Sequence, residues 1–185
     1  MINGYDFDGT IYDGDSTIDF YFYCLRRKPI IIKYFVIQIF GIIMYILKIK
    51  TKEYMKEKFF SIVKSINNID EYIEDFWNKK YKNIKSWYLE QKDKSDVIIS
   101  ASPEFLLKPL EKKLGIKVIA TKVNKKTGKF ESKNCHDYEK VERFYKEVKN
   151  KKIKAFYSDS MSDMPMMNIS KEAYFVKKHK IIKIK

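Results

Sequence analysis

The pentapeptide Asp6-Phe7-Asp8-Gly9-Thr10 sets two carboxylates two residues apart at the end of a short apolar run that begins at Ile2. Side chains alternate along a strand, but where the strand stops and the chain turns at Gly9 both carboxylates can be brought to one cavity. Such a pair suits phosphoryl transfer, although acids beside Gly are also common in solvated turns, so the pentapeptide needs support from elsewhere. Two later segments supply it. Val97-Ile98-Ile99-Ser100 is a β-branched run ending in a hydroxyl, and Ala101-Ser102-Pro103-Glu104 leads from it into an apolar-periodic stretch through Leu114. The pattern predicts a strand, a phosphate-sized loop and a helix N-terminus. Ala155 to Asp163 is another apolar run ending in acids, with Asp159 and Asp163 spaced to meet across one turn. Between these segments Lys140 falls in a stretch predicted helical from Asp137 to Val148.

In this order the segments resemble the four short motifs of the haloacid dehalogenase superfamily, and more narrowly its phosphoserine-phosphatase-like branch. The first is Asp6 to Thr10, the second Ser100 to Glu104, the third Lys140 in Asn134 to Val141, and the fourth Ser158-Asp159-Ser160-Met161-Ser162-Asp163. Ser158 stands where many relatives carry Gly, which loosens the turn assignment and leaves both acids in place.

Phosphate esters are anionic, so an attacking carboxylate needs its own charge and that of the phosphoryl group screened. A hard divalent cation does this, and Mg²⁺ takes a few oxygens in near-octahedral array with waters and substrate phosphate. The resemblance implies Mg²⁺ held by Asp6, Asp159 and the main-chain carbonyl of Phe7, with Asp163 in support. It implies Asp6 as nucleophile, forming an aspartyl-phosphate, and Asp8 as the acid and base for the leaving oxygen and the attacking water. Ser100, the backbone N–H of Ala101 and Lys140 would bind the non-bridging oxygens. Asp8 also separates reaction types, because the family's dehalogenases lack a carboxylate there. A lysine chosen at random in so basic a chain would be a solvated surface group, and only its place in the third motif singles out Lys140.

These residues need a scaffold, and strand-like runs near 2–6, 97–100, 116–120, 153–157 and 173–176 alternate with helical stretches. The expected fold class is α/β, a Rossmann-like parallel sheet with helices on both faces and the site at the strands' C-terminal ends. Residues 1–13 and 91–185 form the catalytic core in this division, and 14–90 an inserted all-helical cap that excludes water and chooses substrates. Asp15, Ser16 or Thr17 would cap the first inserted helix, so Asp13 and Asp15 read as turn and cap residues. Val118–Thr121 and Lys129–Glu131 read as a β-hairpin projecting from the core, and Lys177–Lys185 as a last edge strand or tail.

Within the insert, Ile30 to Leu47 is apolar except for Lys33, Gln38 and Gly41, and is flanked by Arg26-Arg27-Lys28 and by Lys48 and Lys50. Its length approaches a membrane span, but a single crossing would divide Asp6 from Ser100, Lys140 and Asp159. A helical hairpin bent near Gly41, a helix lying in the membrane interface, and cap helices buried against one another all remain. Basic flanks favour the interface, since anionic headgroups contribute about 1 kcal/mol per nearby Lys or Arg. Arg-Arg-x-Pro before a long apolar stretch, with Tyr157 to Ser160, is similar to the phosphatidylglycerophosphatase C group. That similarity implies a lipid phosphate monoester, with Arg26 and Arg27 as candidate headgroup contacts. The soluble alternative is a small metabolite such as phosphoserine.

A net charge of +14 raises the rival of a nucleic-acid-binding module. It ranks low, because of 38 basic residues only Arg26, Arg27 and Arg143 are arginine, whose planar fork phosphate and base recognition favours. A catalytically silent relative is a third reading, opposed by the intact acids, Ser100 and Lys140. Cys24 and Cys135 stand alone, and His136 and His179 have no partners at zinc-ligand spacing, so both thiols read as reduced. The chain opens directly into a strand, and the expected location is the cytoplasm, including the inner face of the membrane.

Overall fold

The computed structural model describes residues 1–185. Its centre is a six-stranded sheet of β1 (Ile2–Tyr5), β2 (Val97–Pro103), β3 (Lys117–Thr121), β4 (Ile153–Ser158), β5 (Glu172–Lys177) and β6 (Lys180–Lys183), in the order β3-β2-β1-β4-β5-β6. All neighbours pair in parallel except β5 and β6, which are antiparallel. The expected α/β fold is therefore present, with the C-terminal run added as an antiparallel edge strand. β1 lies between β2 and β4, so the chain reverses its strand order around β1 and leaves a crevice at the C-terminal ends of these three strands. Tyr5, Tyr157 and Tyr174 stack across β1, β4 and β5, with ring centroids 5.0 and 4.7 Å apart. One face of the sheet packs on a large aromatic core that includes Phe7, Tyr12, Phe76 and Trp77, and the other on a smaller core around Phe144, Phe156, Met166 and Met167.

Between β1 and β2 the chain forms five helices, α1 (Ser16–Arg27), α2 (Phe35–Ile46), α3 (Lys52–Phe59), α4 (Ile69–Lys80) and α5 (Ser86–Gln91), and no strand. It leaves and returns through a narrow neck, where Asp13 N donates to Asn83 O at 2.8 Å and Lys85 N to Ile11 O at 2.8 Å. Asp15 caps α1, its side chain accepting from Ile18 N at 2.9 Å. After β2 come α6 (Glu104–Leu107) and α7 (Pro109–Leu114), where one helix was expected. Pro109 lacks the N–H needed to continue α6, and it starts α7 instead. The helices α8 (Tyr138–Glu147) and α9 (Met164–Ile169) cover the second face.

Two expectations are corrected here. The apolar stretch does not bend at Gly41. A 3-10 turn (Pro29–Tyr34) leads into a continuous α2, and the hairpin closes later, between α2 and α3. Gly41 instead admits α3, because a Cβ there would stand 2.9 Å from the Lys58 side chain. Nor does packing on α3 bury the segment, since Pro29–Ile46, 18 residues of mean hydropathy 2.0, is only 17% buried. β1 before the segment and β2 after it are hydrogen-bonded neighbours, so the chain returns to the side it left. The second correction concerns 118–131, where the return arm forms one bridge, Val123 to Phe130, and no strand. Rather than projecting, this loop lies against the helical insert. Phe130 N donates to Glu57 at 2.9 Å, and Lys125 pairs with Asp70 at 2.6 Å.

Candidate active site

Asp6 follows β1 directly, and its backbone N–H donates to Tyr157 O at 2.9 Å, which fixes the residue between β1 and β4. Its Oδ1 accepts from the Lys140 ammonium at 2.8 Å, while Oδ2 accepts no hydrogen bond. Lys140 projects from the first turn of α8, is 3% exposed, and also donates to Asp163 Oδ2 at 2.8 Å. Asp163 Oδ1 lies 2.7 Å from the same ammonium, as an ion pair without hydrogen-bond geometry. Burial pushes the Asp6 carboxyl up to about 7, against the pull of Lys140. The ammonium itself is held above its ordinary range, Asp6 and Asp163 outweighing the cost of burial.

Asp8 is gripped on both oxygens. Ser16 N, the first N–H of α1, donates to Oδ1 at 2.6 Å, and the Ser102 hydroxyl donates to Oδ2 at 2.5 Å. These bonds favour the carboxylate, but burial, with the charge of Asp15 behind it, raises the group to about 6. A carboxyl poised near neutrality can both give and take a proton. Ser100, Ala101 and Ser102 all line the cavity, where β2 departs from regular register with β3 between Ile99 and Pro103.

Asp159 lies on Gly9. A Cβ on Gly9, whose φ is +71°, would meet Asp159 Oδ2 at 2.0 Å. Thr10 fastens the two segments, its hydroxyl accepting from Asp159 N at 2.9 Å and donating to Asp159 Oδ1 at 3.2 Å. Burial raises the Asp159 carboxyl above its ordinary range. Ser158, the departure from Gly, has work of its own, donating to Asp163 Oδ2 at 2.7 Å and accepting from Ser160 N at 3.0 Å.

Asp6, Asp8, Ser100, Ala101, Lys140 and Asp163 all line one cavity of about 500 Å³. Asp159 stands beside it, behind Gly9. Two expected site features are elsewhere. The Phe7 carbonyl turns inward and accepts from Ile11 N at 3.0 Å and Tyr12 N at 2.9 Å, which occupies both lone pairs and removes it from the metal-ligand set. Arg26 and Arg27 line a separate groove with Asp19 and Lys80, and Arg27 is paired with Glu71 and Asp75 of α4. Residues not foreseen are Ser16, Ser102 and Thr10, which hold the acids, and Lys52, Lys56 and His136, which line the cavity. Thr10, Ser102 and His136 stand inside the motifs quoted from the sequence, and Ser16 among the cap candidates, but nothing there assigned them to the site. Cys24 and Cys135 are buried and unpaired, and burial pushes both thiols up to about 12.

A family model described as haloacid dehalogenase-like hydrolase matches residues 4–168. No curated protein matches the chain. Among solved structures, a protein with unknown function from Bordetella pertussis Tohama I is similar at TM-score 0.73 and 17% identity, over 90% of this chain and 85% of that one. A phosphoserine phosphohydrolase-like protein from Francisella tularensis subsp. tularensis SCHU S4 follows at TM-score 0.57 and 16% identity, over 94% and 86%. A phosphoserine phosphatase in apo form gives TM-score 0.55 and 17% identity, over 93% and 84%. At these identities the likeness is one of fold.

Proposed function

The chain belongs to the haloacid dehalogenase-like hydrolases, and from that premise we propose that it hydrolyses phosphate monoesters through a phosphoryl group carried on Asp6. The observation that carries this is the division of labour between two buried acids on one cavity. Asp6 has one oxygen tied to Lys140 and one free, and Asp8 is clamped on both oxygens and raised to about 6. The free oxygen of Asp6 attacks phosphorus, the ester P–O bond breaks, and protonated Asp8 gives its proton to the leaving oxygen. Water then attacks the aspartyl-phosphate while Asp8 takes its proton. The bond to Asp6 breaks, and inorganic phosphate and the free carboxylate result. Ser100, the Ala101 N–H and Lys140 bind the non-bridging oxygens on which charge spreads.

The donor set fits Mg²⁺. Asp6, Asp8, Asp159 and Asp163 gather beside a single directly bonded ammonium, Lys140, and leave an excess of negative charge on oxygen ligands alone. Mg²⁺ keeps waters and takes one or two carboxylates plus substrate phosphate, so it needs no closed cage of side chains. Asp6 and Asp159 would hold it, with Asp163 in support. The Asp8 carbonyl, which accepts no hydrogen bond, would replace that of Phe7. When bound, Mg²⁺ supplies the positive charge that lets a carboxylate approach an anionic phosphoryl group.

Residues 14–90 act as the cap, and the substrate is a membrane lipid phosphate such as phosphatidylglycerophosphate, met at the inner membrane face through Ile30–Leu47. Support comes from α2, whose Gln38 and Ile42 line the cavity while Val36, Phe40, Ile43 and Ile46 stay exposed on the same helix. A small soluble substrate is the second reading, favoured by the likeness to phosphoserine phosphatase-like structures. The test is phosphate release, with Mg²⁺ and with EDTA, from phosphatidylglycerophosphate in mixed micelles, phosphoserine and an aryl phosphate. Metal-dependent release that Asp6→Asn abolishes is expected. Equal release by Asp6→Asn, or none from any substrate, would remove the phosphatase reading in favour of a silent relative.

A further inference from the structure

Only two lysines of this basic chain are buried, Lys140 and Lys85, and the reaction above uses only the first. Lys85 stands where the chain returns through the neck, outside the lining of the catalytic cavity. Its ammonium makes two bonds, both to carbonyls: Gly9 O at 2.6 Å and Lys178 O at 2.8 Å. It belongs to no ion pair of the molecule. Burial pulls the ammonium below its ordinary range, and the charges of Asp13 and Asp159, both beyond ion-pair range, pull the other way. A buried cation is costly unless it is hydrogen-bonded, and bonds from a charged donor are the strong ones.

Gly9 is a place where such a hold has consequences. With φ at +71° and no Cβ, its backbone is free to rotate, so the peptide planes on either side take their direction from their hydrogen bonds. Gly9 N donates to Gly14 O at 2.9 Å, and because the carbonyl of a trans peptide points away from its N–H, this bond turns Asp8 O away from Gly14. The plane between Gly9 and Thr10 is held by Lys85. Thr10 in turn fastens Asp159 by two bonds, and Asp159 Oδ2 lies against Gly9 itself. Lys85 therefore anchors the stretch that joins Asp8 O to Asp159, two of the groups assigned above to the cation. Through Lys178, a residue with φ of 56° in the turn between β5 and β6, it ties that stretch to the last hairpin as well.

We propose that Lys85 is a positioning residue of the cation site, holding Asp8 O and Asp159 in place for Mg²⁺ through the Gly9 carbonyl. The assignment rests on the Mg²⁺ site of the phosphatase reading and extends it to a residue outside the cavity. Charge and position predict effects of opposite sign. As a positive charge near Asp159 and nothing more, Lys85 would repel Mg²⁺, and its loss would tighten binding. As the anchor of Gly9 it keeps the ligands in place, and its loss loosens binding.

Mg²⁺ binding without substrate, measured by calorimetry and as the rise in Tm over protein in EDTA, decides between them. Lys85→Met should bind Mg²⁺ about tenfold more weakly than the wild type, as is usual when a residue that orients metal ligands is lost. Lys92→Met is the control. It removes an ammonium that donates to Leu114 O at 2.7 Å, ahead of β2 and outside the cavity, so it should lower Tm in EDTA and leave Mg²⁺ affinity unchanged. Should Lys85→Met not fold, Lys85→Gln, uncharged and one bond shorter, takes its place with the same expectation. The assignment alone is overturned if the Lys85 variant binds Mg²⁺ as the wild type does or more tightly, or if Lys92→Met weakens binding equally, which would make the loss one of general stability. A wild-type protein that binds no Mg²⁺ would remove the metal site and the assignment with it. Aryl phosphate release by the wild-type protein, measured alongside, reports on the phosphatase reading separately.

Discussion

Gly9→Ala is the most informative single change, because its cost divides into two parts that can be measured apart. The first is backbone strain, since φ is +71° at Gly9 and a left-handed conformation costs an L-residue about 1–2 kcal/mol. Gly115 offers the same strain alone: its φ is +67° and a Cβ there meets nothing within 4 Å. The second part is collision, because the new Cβ would lie 2.0 Å from Asp159 Oδ2 and 2.6 Å from its Cγ, whereas real Cβ contacts essentially never fall below 3.0 Å. Asp159 must retreat by about 1 Å, a displacement that can cost about 100-fold in rate. Thr10 holds both the backbone and the carboxylate of Asp159, so the retreat drags the end of β4 with it. Both variants should melt lower by about 2–8 °C for a chain of this size. Only Gly9→Ala should lose about 100-fold in kcat, raise the Mg²⁺ concentration for half-activation, and shrink the rise in Tm that Mg²⁺ produces. A Gly9→Ala protein that melts like Gly115→Ala and keeps wild-type kcat and Mg²⁺ dependence would refute the placement of Asp159 as a working ligand.

Lys140→Met should lower stability in EDTA by about 3–5 kcal/mol at pH 8, the cost of leaving buried carboxylates without their cation. The deficit should shrink at pH 5, where Asp6, raised to about 7, takes a proton instead. Thermal melts at the two pH values check this, and an unchanged Tm at pH 8 would contradict it. Turnover should fall by about 10²–10³-fold. Serine at Ile39, Ile43 and Ile46, one exposed face of α2, should abolish sedimentation with anionic vesicles. Unchanged sedimentation of the triple variant would exclude α2 as the membrane contact.

The acids were legible because each ends a strand, and a strand's end is marked in one dimension by a β-branched run meeting a turn. Asp6, Ser100 and Asp159 meet because β1, β2 and β4 are neighbours, and a parallel sheet brings such ends together wherever they fall in the chain. The residues that hold them were not legible. Ser16 reaches Asp8 through a backbone N–H, and Lys56 reaches Ala101 across the insert, so neither contact has a spacing to read. The Phe7 carbonyl was misassigned because carbonyl direction depends on the turn, and this turn spends it on Ile11 and Tyr12. The bend expected at Gly41 failed for a similar reason: glycine can mark a break or a close approach, and only the position of α3 tells which.

The neck at Ile11–Asp13 and Asn83–Lys85 is two short segments wide, yet the helical insert is not a detachable piece of chain, because Phe76 and Trp77 of α4 share one core with Phe7 and Tyr12 against the sheet. A further bond joins the insert to the site itself. Asp8 is oriented by Ser16 N, so the first turn of α1 serves the chemistry of the core even though it lies beyond the neck. A graft cut at the neck would carry Asp8's clamp away with it, whereas a graft that begins after Thr17 would leave Asp8 in register. Recombination between relatives is thus held at the first turn of α1 and along the α4 face that meets the sheet, and is free only where the insert touches neither.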